Sequence, residues 1–236
     1  MNWNDDLELD IRKTARAKRR PSPQELRRQF GPLFAGLKKT MRFHHDKMIR
    51  DLVSLCQFLP KKSLGVEIGS FAGESALLFL LSGKVGHLAC VDPWLENYYR
   101  DRQVPAAEET FDKLQRSCGG KIAKHQMTGL AFLEARAQSK VKFDFIYIDG
   151  DHSYETVKRE IAAAIPLIKP TGLLCGHDYG FRKSLGVERA VKEMCGAADV
   201  LFSGYSWLVF AERLQNPDAG RPGSDITQEG PVDAAR

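Results

Sequence analysis

Between residues 63 and 210 the chain alternates short apolar runs with stretches whose apolar residues recur at three- and four-residue steps. The runs 63–68, 87–91, 121–125, 143–148 and 171–175 have the length and composition of buried strands, whereas 74–81, 130–137, 154–165 and 184–195 carry the helical period. Strands that alternate with helices pair in parallel, because each helical crossover returns the chain to the same end of the sheet. The pattern predicts an α/β fold with a Rossmann-like, doubly wound, mostly parallel sheet. The last runs, 200–202 and 206–210, have no helix between them and fit an antiparallel hairpin at the sheet edge. Upstream, Met41, His44 or His45, Met48, Leu52, Leu55 and Leu59 fall at helical steps, which predicts an N-terminal helical cap over 23–60 laid against the sheet.

The ends read differently. Residues 11–20, IRKTARAKRR, are strongly basic and are separated from the cap by Pro21 and Pro23, so 1–22 is expected to be a flexible arm. After residue 212 the sequence turns polar and rich in Gly, Pro, Asp and Gln, which predicts a disordered tail over 213–236 beyond a single folded domain, 61–212. The 236 residues, 43% of them hydrophobic, supply one core of ordinary size rather than two.

Charge and cysteine content narrow the classes. The net charge of +5 is modest, and the basic stretch invites a nucleic-acid partner, yet it has no interleaved aromatic residues on which bases could stack. A solvated arm is the simpler reading. No apolar run approaches the ~18 residues of a membrane span and the first ten residues are acidic, so a cytoplasmic protein with no membrane partner is expected. Five scattered cysteines without a CxxC pair suggest neither a disulfide framework nor a zinc site. Whether the chain forms a homo-oligomer stays open.

In an open α/β sheet the ligand lies beyond the carboxyl ends of the strands, near the point where strand order reverses. The first strand ends in VEIGSFAGES, where Gly69 and Gly73 allow close approach of the backbone, Ser70 lies between them, and Glu67 precedes the turn. A carboxylate there suits an ammonium group better than a pyrophosphate, and the GxxxG spacing is not the GxGxxG of dinucleotide sites. The second strand runs into Asp92, which can accept hydrogen bonds from ribose hydroxyls. Together Glu67 and Asp92 fit a nucleoside with an amino-acid tail, the shape of S-adenosylmethionine, although either acid alone could be a capping or surface group. Trp94 could flank adenine or merely pack, and Met127 and Thr128 could line the adenine.

The chemistry-bearing segments are IDGDHSYE and GHDYG. They deliver Asp149, Asp151 and His152 to the end of one strand, and His177 and Asp178 to the end of the next. Carboxylates and imidazoles on one rim can hold a divalent cation. The bland alternatives are that Asp151 or Ser153 caps the following helix and that His177 and Asp178 bond to a loop.

With these motifs on the page, residues 64–210 resemble the class I methyltransferases grouped with the macrocin and mycinamicin O-methyltransferases and the methyltransferase-like protein of the cephalosporin cluster. The resemblance rests on VEIGSFAGES, VDPW, IDGDHSYE, KPTGLLCGHDYG and GVERAV. It implies that Glu67, Gly69 and Gly73 form the acid-and-turn motif, that Asp92 is the ribose acid, and that Asp149, Gly150 and His152 match a DGxH segment. In such relatives the DGxH aspartate and a later acidic pair bind magnesium, and the histidine is the base. Here the later pair is His177 and Asp178, which tilts the site from magnesium toward manganese, iron or zinc, or toward no tight metal. The expected reaction is O-methylation of a small-molecule acceptor, with His152 catalytic and Asp149, His177 and Asp178 on a cation. That the acceptor is a sugar or glycosylated metabolite is implied by the resemblance alone. Rival readings are a nucleic-acid methyltransferase, a nicotinamide oxidoreductase, a metallophosphoesterase and a non-catalytic interaction protein.

Overall fold

The computed structural model describes residues 46–95, 104–138, 140–181 and 185–215. The expected basic arm, and the expected tail from residue 216 onward, lie outside these residues, as does the part of the helical cap before residue 46. The elements in chain order are α1 (Asp46–Leu55), β1 (Ser63–Ile68), α2 (Glu74–Leu81), β2 (Val85–Asp92), α3 (Val104–Ser117), β3 (Ile122–Gln126), α4 (Gly129–Ala135), β4 (Phe143–Ile148), α5 (Tyr154–Ala164), β5 (Ile168–Gly176), α6 (Leu185–Cys195), β6 (Val200–Leu201), β7 (Trp207–Phe210) and α7 (Ala211–Gln215). They form a seven-stranded sheet of order β3-β2-β1-β4-β5-β7-β6. The first five strands pair in parallel, and β7 runs antiparallel to both β5 and β6.

This is the Rossmann-like α/β architecture that the alternating pattern predicts, closed by the expected edge hairpin. Two strands start earlier than their apolar runs: β2 at Val85 and β5 at Ile168. The helix α3 has no counterpart among the predicted elements. Its buried residues Ala107, Phe111 and Leu114 keep a helical step, but acidic and basic residues separate them and Pro105 stands near its start. At the other end α7 carries ordered chain to Gln215, past the boundary expected at residue 212, and Gln215 Nε2 donates to the Ile168 carbonyl at 3.1 Å.

Alternation along the strands splits the core into two layers. On one face Cys90, Phe145, Tyr147, Cys175 and Leu208 pack against α1, α2 and α3; on the other Val66, Ile68, Val91, Ile146, Ile148 and Leu174 pack against α4, α5 and α6. Within the described part of the cap, Leu52, Leu55 and Leu59 are buried as the helical steps require. Four of the cysteines are buried and all five are free, so the buried ones pack as small hydrophobes. No helix among the described residues is long and apolar enough to cross a membrane. Because β1 has β2 on one side and β4 on the other, crossovers leave β1 in opposite directions, and the crevice between the ends of β1 and β4 is the topological place for a ligand.

Candidate functional site

At the end of β1 the chain turns over a left-handed glycine. Gly69 has φ +88°, and a Cβ on it would overlap the backbone carbonyl of Asp149 at the end of β4. Its N–H donates to the Val91 carbonyl at 2.8 Å, while the Asp149 N–H donates to the Ile68 carbonyl at 2.9 Å. The three strand ends are thus laced together where only glycine fits. Gly73, also left-handed, starts α2 and leaves room for Leu114 and Phe111 of α3.

Glu67 is wholly buried in register with Cys90 and Tyr147. Ser70 Oγ donates to its Oε2 at 2.7 Å, whereas Oε1 is buried without a hydrogen-bond partner. Burial pushes its pKa up to about 7 against the opposing hydrogen bonds from Ser70 and Ser75. An unpartnered acceptor at this depth is costly unless a donor completes it. Asp92 is also fully buried, and its carboxyl ties two loops together. Oδ2 accepts from the Phe71 N–H at 2.9 Å and Oδ1 from the Trp94 N–H at 2.8 Å. Phe71 and Trp94 both have positive φ, so the aspartate stabilises two residues in a backbone region that side chains disfavour.

Trp94 is committed to packing. Its Nε1 donates to the Phe71 carbonyl at 2.8 Å, its ring lies 4.9 Å from that of Phe111, and Lys124, itself paired with Glu108 and Asp112, sits over it. Met127 and Thr128 are exposed beyond β3, and Thr128 caps α4 by accepting from the Ala131 N–H at 3.3 Å. Near this cap Glu160 of α5 lies against Gly129, 1% exposed, with Oε2 unpartnered. Burial, and secondarily the Asp151 charge, push its carboxyl to about 8.

The ends of β4 and β5 bring the ionisable rim together. His152 Nε2 lies 3.0 Å from Asp178 Oδ2 and 3.6 Å from Asp149 Oδ1. His177 Nδ1 lies 3.2 Å from Asp178 Oδ1 and 3.8 Å from Asp149 Oδ1, and its Nε2 donates to the Gly204 carbonyl at 2.8 Å. The hydrogen bond to Asp149 raises the pKa of His152 despite burial, and the Asp149 and Asp178 charges add to it. For His177 burial opposes the charged form, yet the Asp149 and Asp178 carboxyls and the Gly204 carbonyl outweigh it and push the ring to about 9.

Asp149, His152 and Asp178 offer donor atoms that all lie within 4.8 Å of one another, a set suited to a divalent cation. His177, the imidazole the sequence nominates for that cation, contacts both carboxyls but is not in this group, which holds His152. Asp151 has the bland role, its Oδ1 accepting from the Ser153 N–H at 2.7 Å while Ser153 caps α5. The hairpin is predicted from the sequence, but nothing in it signals that its turn meets the rim, where the Gly204 carbonyl contacts His177.

Residues 66–179 match the family model described as a methyltransferase domain. No curated protein matches the sequence. Among solved structures, an O-methyltransferase from Bacillus cereus in complex with SAH shares 14% identity and a TM-score of 0.60, covering 80% of this chain and 92% of its own. The O-methyltransferase TomG from Streptomyces achromogenes, involved in tomaymycin synthesis and crystallised with SAM, shares 12% identity at a TM-score of 0.58, covering 88% of this chain and 96% of its own. At such identities the likeness is one of fold, which is that of the O-methyltransferases. Family match, strand order and glycine turn agree: residues 66–179 are similar to a methyltransferase domain, set on the sheet seen in the O-methyltransferase structures.

Proposed function

We propose that this protein transfers the methyl group of S-adenosylmethionine to a hydroxyl of a small molecule, with His152 as the base. The observation that carries the reading is the convergence of His152, Asp149 and Asp178 on the crevice beside the Gly69 turn. The cofactor, when bound, supplies an electrophilic methyl carbon on a sulfonium. The residues fit it: Glu67 Oε1 is a buried acceptor lacking a donor, which an ammonium would supply, and Asp92 sets a carboxylate, the acceptor type that ribose hydroxyls need, at the end of β2. Exposed Met127 and Thr128 are the adenine-side candidates, while Trp94 acts on the site through the Phe71 loop.

Methyl transfer is an in-line displacement, so the protein must align the acceptor oxygen and remove its proton. His152 can accept that proton at Nδ1, while its Nε2 donates to Asp178 and faces Asp149, which orient the ring and stabilise the imidazolium that results. A cation on Asp149 and Asp178 would lower the acceptor's pKa and offset the charge that now raises that of His152. His152 Nε2 would serve either as a ligand or as the donor that orients the ring as base, and the base role leaves the two carboxyls as the ligands. The basic stretch 11–20 has no interleaved aromatic residues on which bases could stack, which favours a small acceptor over nucleic acid, and a sugar or glycosylated metabolite is the acceptor class we favour. The test is incubation with isotopically methyl-labelled cofactor and pools of hydroxylated metabolites, read by mass spectrometry. A labelled O-methyl product supports the proposal, and labelling of added RNA or DNA instead points to the nucleic-acid reading.

A further inference from the structure

The link between α1 and the catalytic rim has no place in the reaction as described, yet it is continuous. Asp51 of α1 is 2% exposed, and its Oδ2 accepts from the N–H of Gly204 at 2.7 Å and of Ser206 at 3.3 Å. These contacts bridge 153 and 155 residues of sequence and hold the turn between β6 and β7 from beneath. The same turn grips the loop after β5. The Gly204 carbonyl accepts from His177 Nε2 at 2.8 Å, the Tyr179 N–H donates to the Tyr205 carbonyl at 3.0 Å, and Trp207 Nε1 donates to the His177 carbonyl at 3.1 Å. The Phe181 and Tyr205 rings add a contact at 5.3 Å. Two residues in this clasp, Asp178 and Tyr205, have φ of +63° and +72°, a conformation that persists only where surrounding contacts over-determine it.

We infer that Asp51 is a positioning residue: it fixes the 202–206 turn so that the Gly204 carbonyl holds the His177 ring, and His177 in turn holds the Asp149 and Asp178 carboxyls that orient His152. A buried carboxyl that spends one oxygen on two backbone amides of a distant turn is suited to set geometry, because it joins rigid elements across the core. The hairpin at the sheet edge thereby has a function beyond closing the sheet. Its turn holds the His177 loop of the rim, and α1 is the strut that holds the turn. The inference rests on the reading of the rim as the methyl-transfer site, but its test does not use methyl transfer.

The experiment is imidazole NMR on the full chain with ¹⁵N-labelled histidine, following exchange of the His177 Nε2 proton in wild type, Asp51→Ala, Asp51→Asn and Leu52→Ala. Leu52 is fully buried on the same helix, so its truncation weakens the packing of α1 while keeping both Asp51 hydrogen bonds to the turn. Exchange in Asp51→Ala is expected to accelerate by roughly tenfold to a hundredfold, the factor corresponding to one hydrogen bond to a charged group. Asp51→Asn keeps an acceptor oxygen and should return exchange to near the wild-type rate, and Leu52→Ala should leave it near wild type at an equal or larger loss of melting temperature. Unchanged exchange in Asp51→Ala overturns the inference, as does equal acceleration in Leu52→Ala. Calorimetry of wild type with S-adenosylmethionine reports separately on the functional reading, so failure of one is not mistaken for failure of the other.

Discussion

Replacing Asp92 with alanine separates two accounts of that residue. As a ribose acid alone, it should affect only cofactor affinity. In the structure it also accepts from the Phe71 and Trp94 amides, and both of those residues sit at positive φ. Alanine removes both acceptors. A buried donor left unsatisfied costs ~1–3 kcal/mol, so the pair amounts to ~2–6 kcal/mol, with the lower end favoured because the Phe71 amide is only part-buried and can recruit water. At ~2–4 °C per kcal/mol for a chain of this size, Tm should fall by at least ~4 °C in the absence of any ligand. Asp92→Asn retains one acceptor oxygen and should lose about half as much. Differential scanning calorimetry of the ligand-free variants makes the measurement, followed by titration with cofactor, where a further loss of ~1.5–3 kcal/mol is expected in Asp92→Ala. Ligand-free melting of Asp92→Ala indistinguishable from wild type would refute the clasp, whatever happens to binding.

Three other outcomes follow from the same geometry. Gly69→Ala places a methyl in a left-handed position, at ~1–2 kcal/mol, and against the Asp149 backbone, at a further ~1–3 kcal/mol, so denaturant unfolding should show a loss near ~2–5 kcal/mol, and a near-neutral variant would mean that the strand ends are not laced as described. The Glu160 carboxyl, raised to about 8 when folded, contributes stability that is fully present below its unfolded value and is lost as pH rises through about 8. Glu160→Gln should therefore match wild type near pH 4.5 and exceed it by several kcal/mol above pH 8, at ~1.4 kcal/mol per unit; equal curves at both ends would show that the carboxyl is not held neutral. His152→Ala should lower turnover ~100- to 10,000-fold with cofactor affinity nearly unchanged, and activity that survives both this change and Asp178→Ala would remove the rim from the chemistry.

Much of the site was legible because strand ends are legible. The run GVEI into Gly69, the run ACVD and the run FDFIYI into Asp149 each end at the crevice edge, so Glu67, Asp92 and the IDGDH acids could be placed from periodicity alone. The helix α3 was not, since its three buried apolar residues are diluted by charges that turn out to be used, Glu108 and Asp112 holding Lys124 over Trp94. Trp94 could be read as a ligand contact or as packing, and only the Phe111, Lys124 and Phe71 contacts decide for packing. That the candidate cation group holds His152 and not His177 is a matter of tertiary placement that no local pattern specifies. The Asp51 strut is invisible to any local reading, because its partners come 153 and 155 residues later.

The most direct test of the central claim is methyl transfer itself. Wild type and His152→Ala, both confirmed by calorimetry to bind S-adenosylmethionine, are incubated with methyl-labelled cofactor and a pool of small hydroxylated metabolites, and the products are resolved by mass spectrometry. The account predicts a product carrying the labelled methyl on oxygen, formed by wild type and reduced ~100-fold or more with His152→Ala. Cofactor binding without any O-methylated product, or equal product from both proteins, would contradict it.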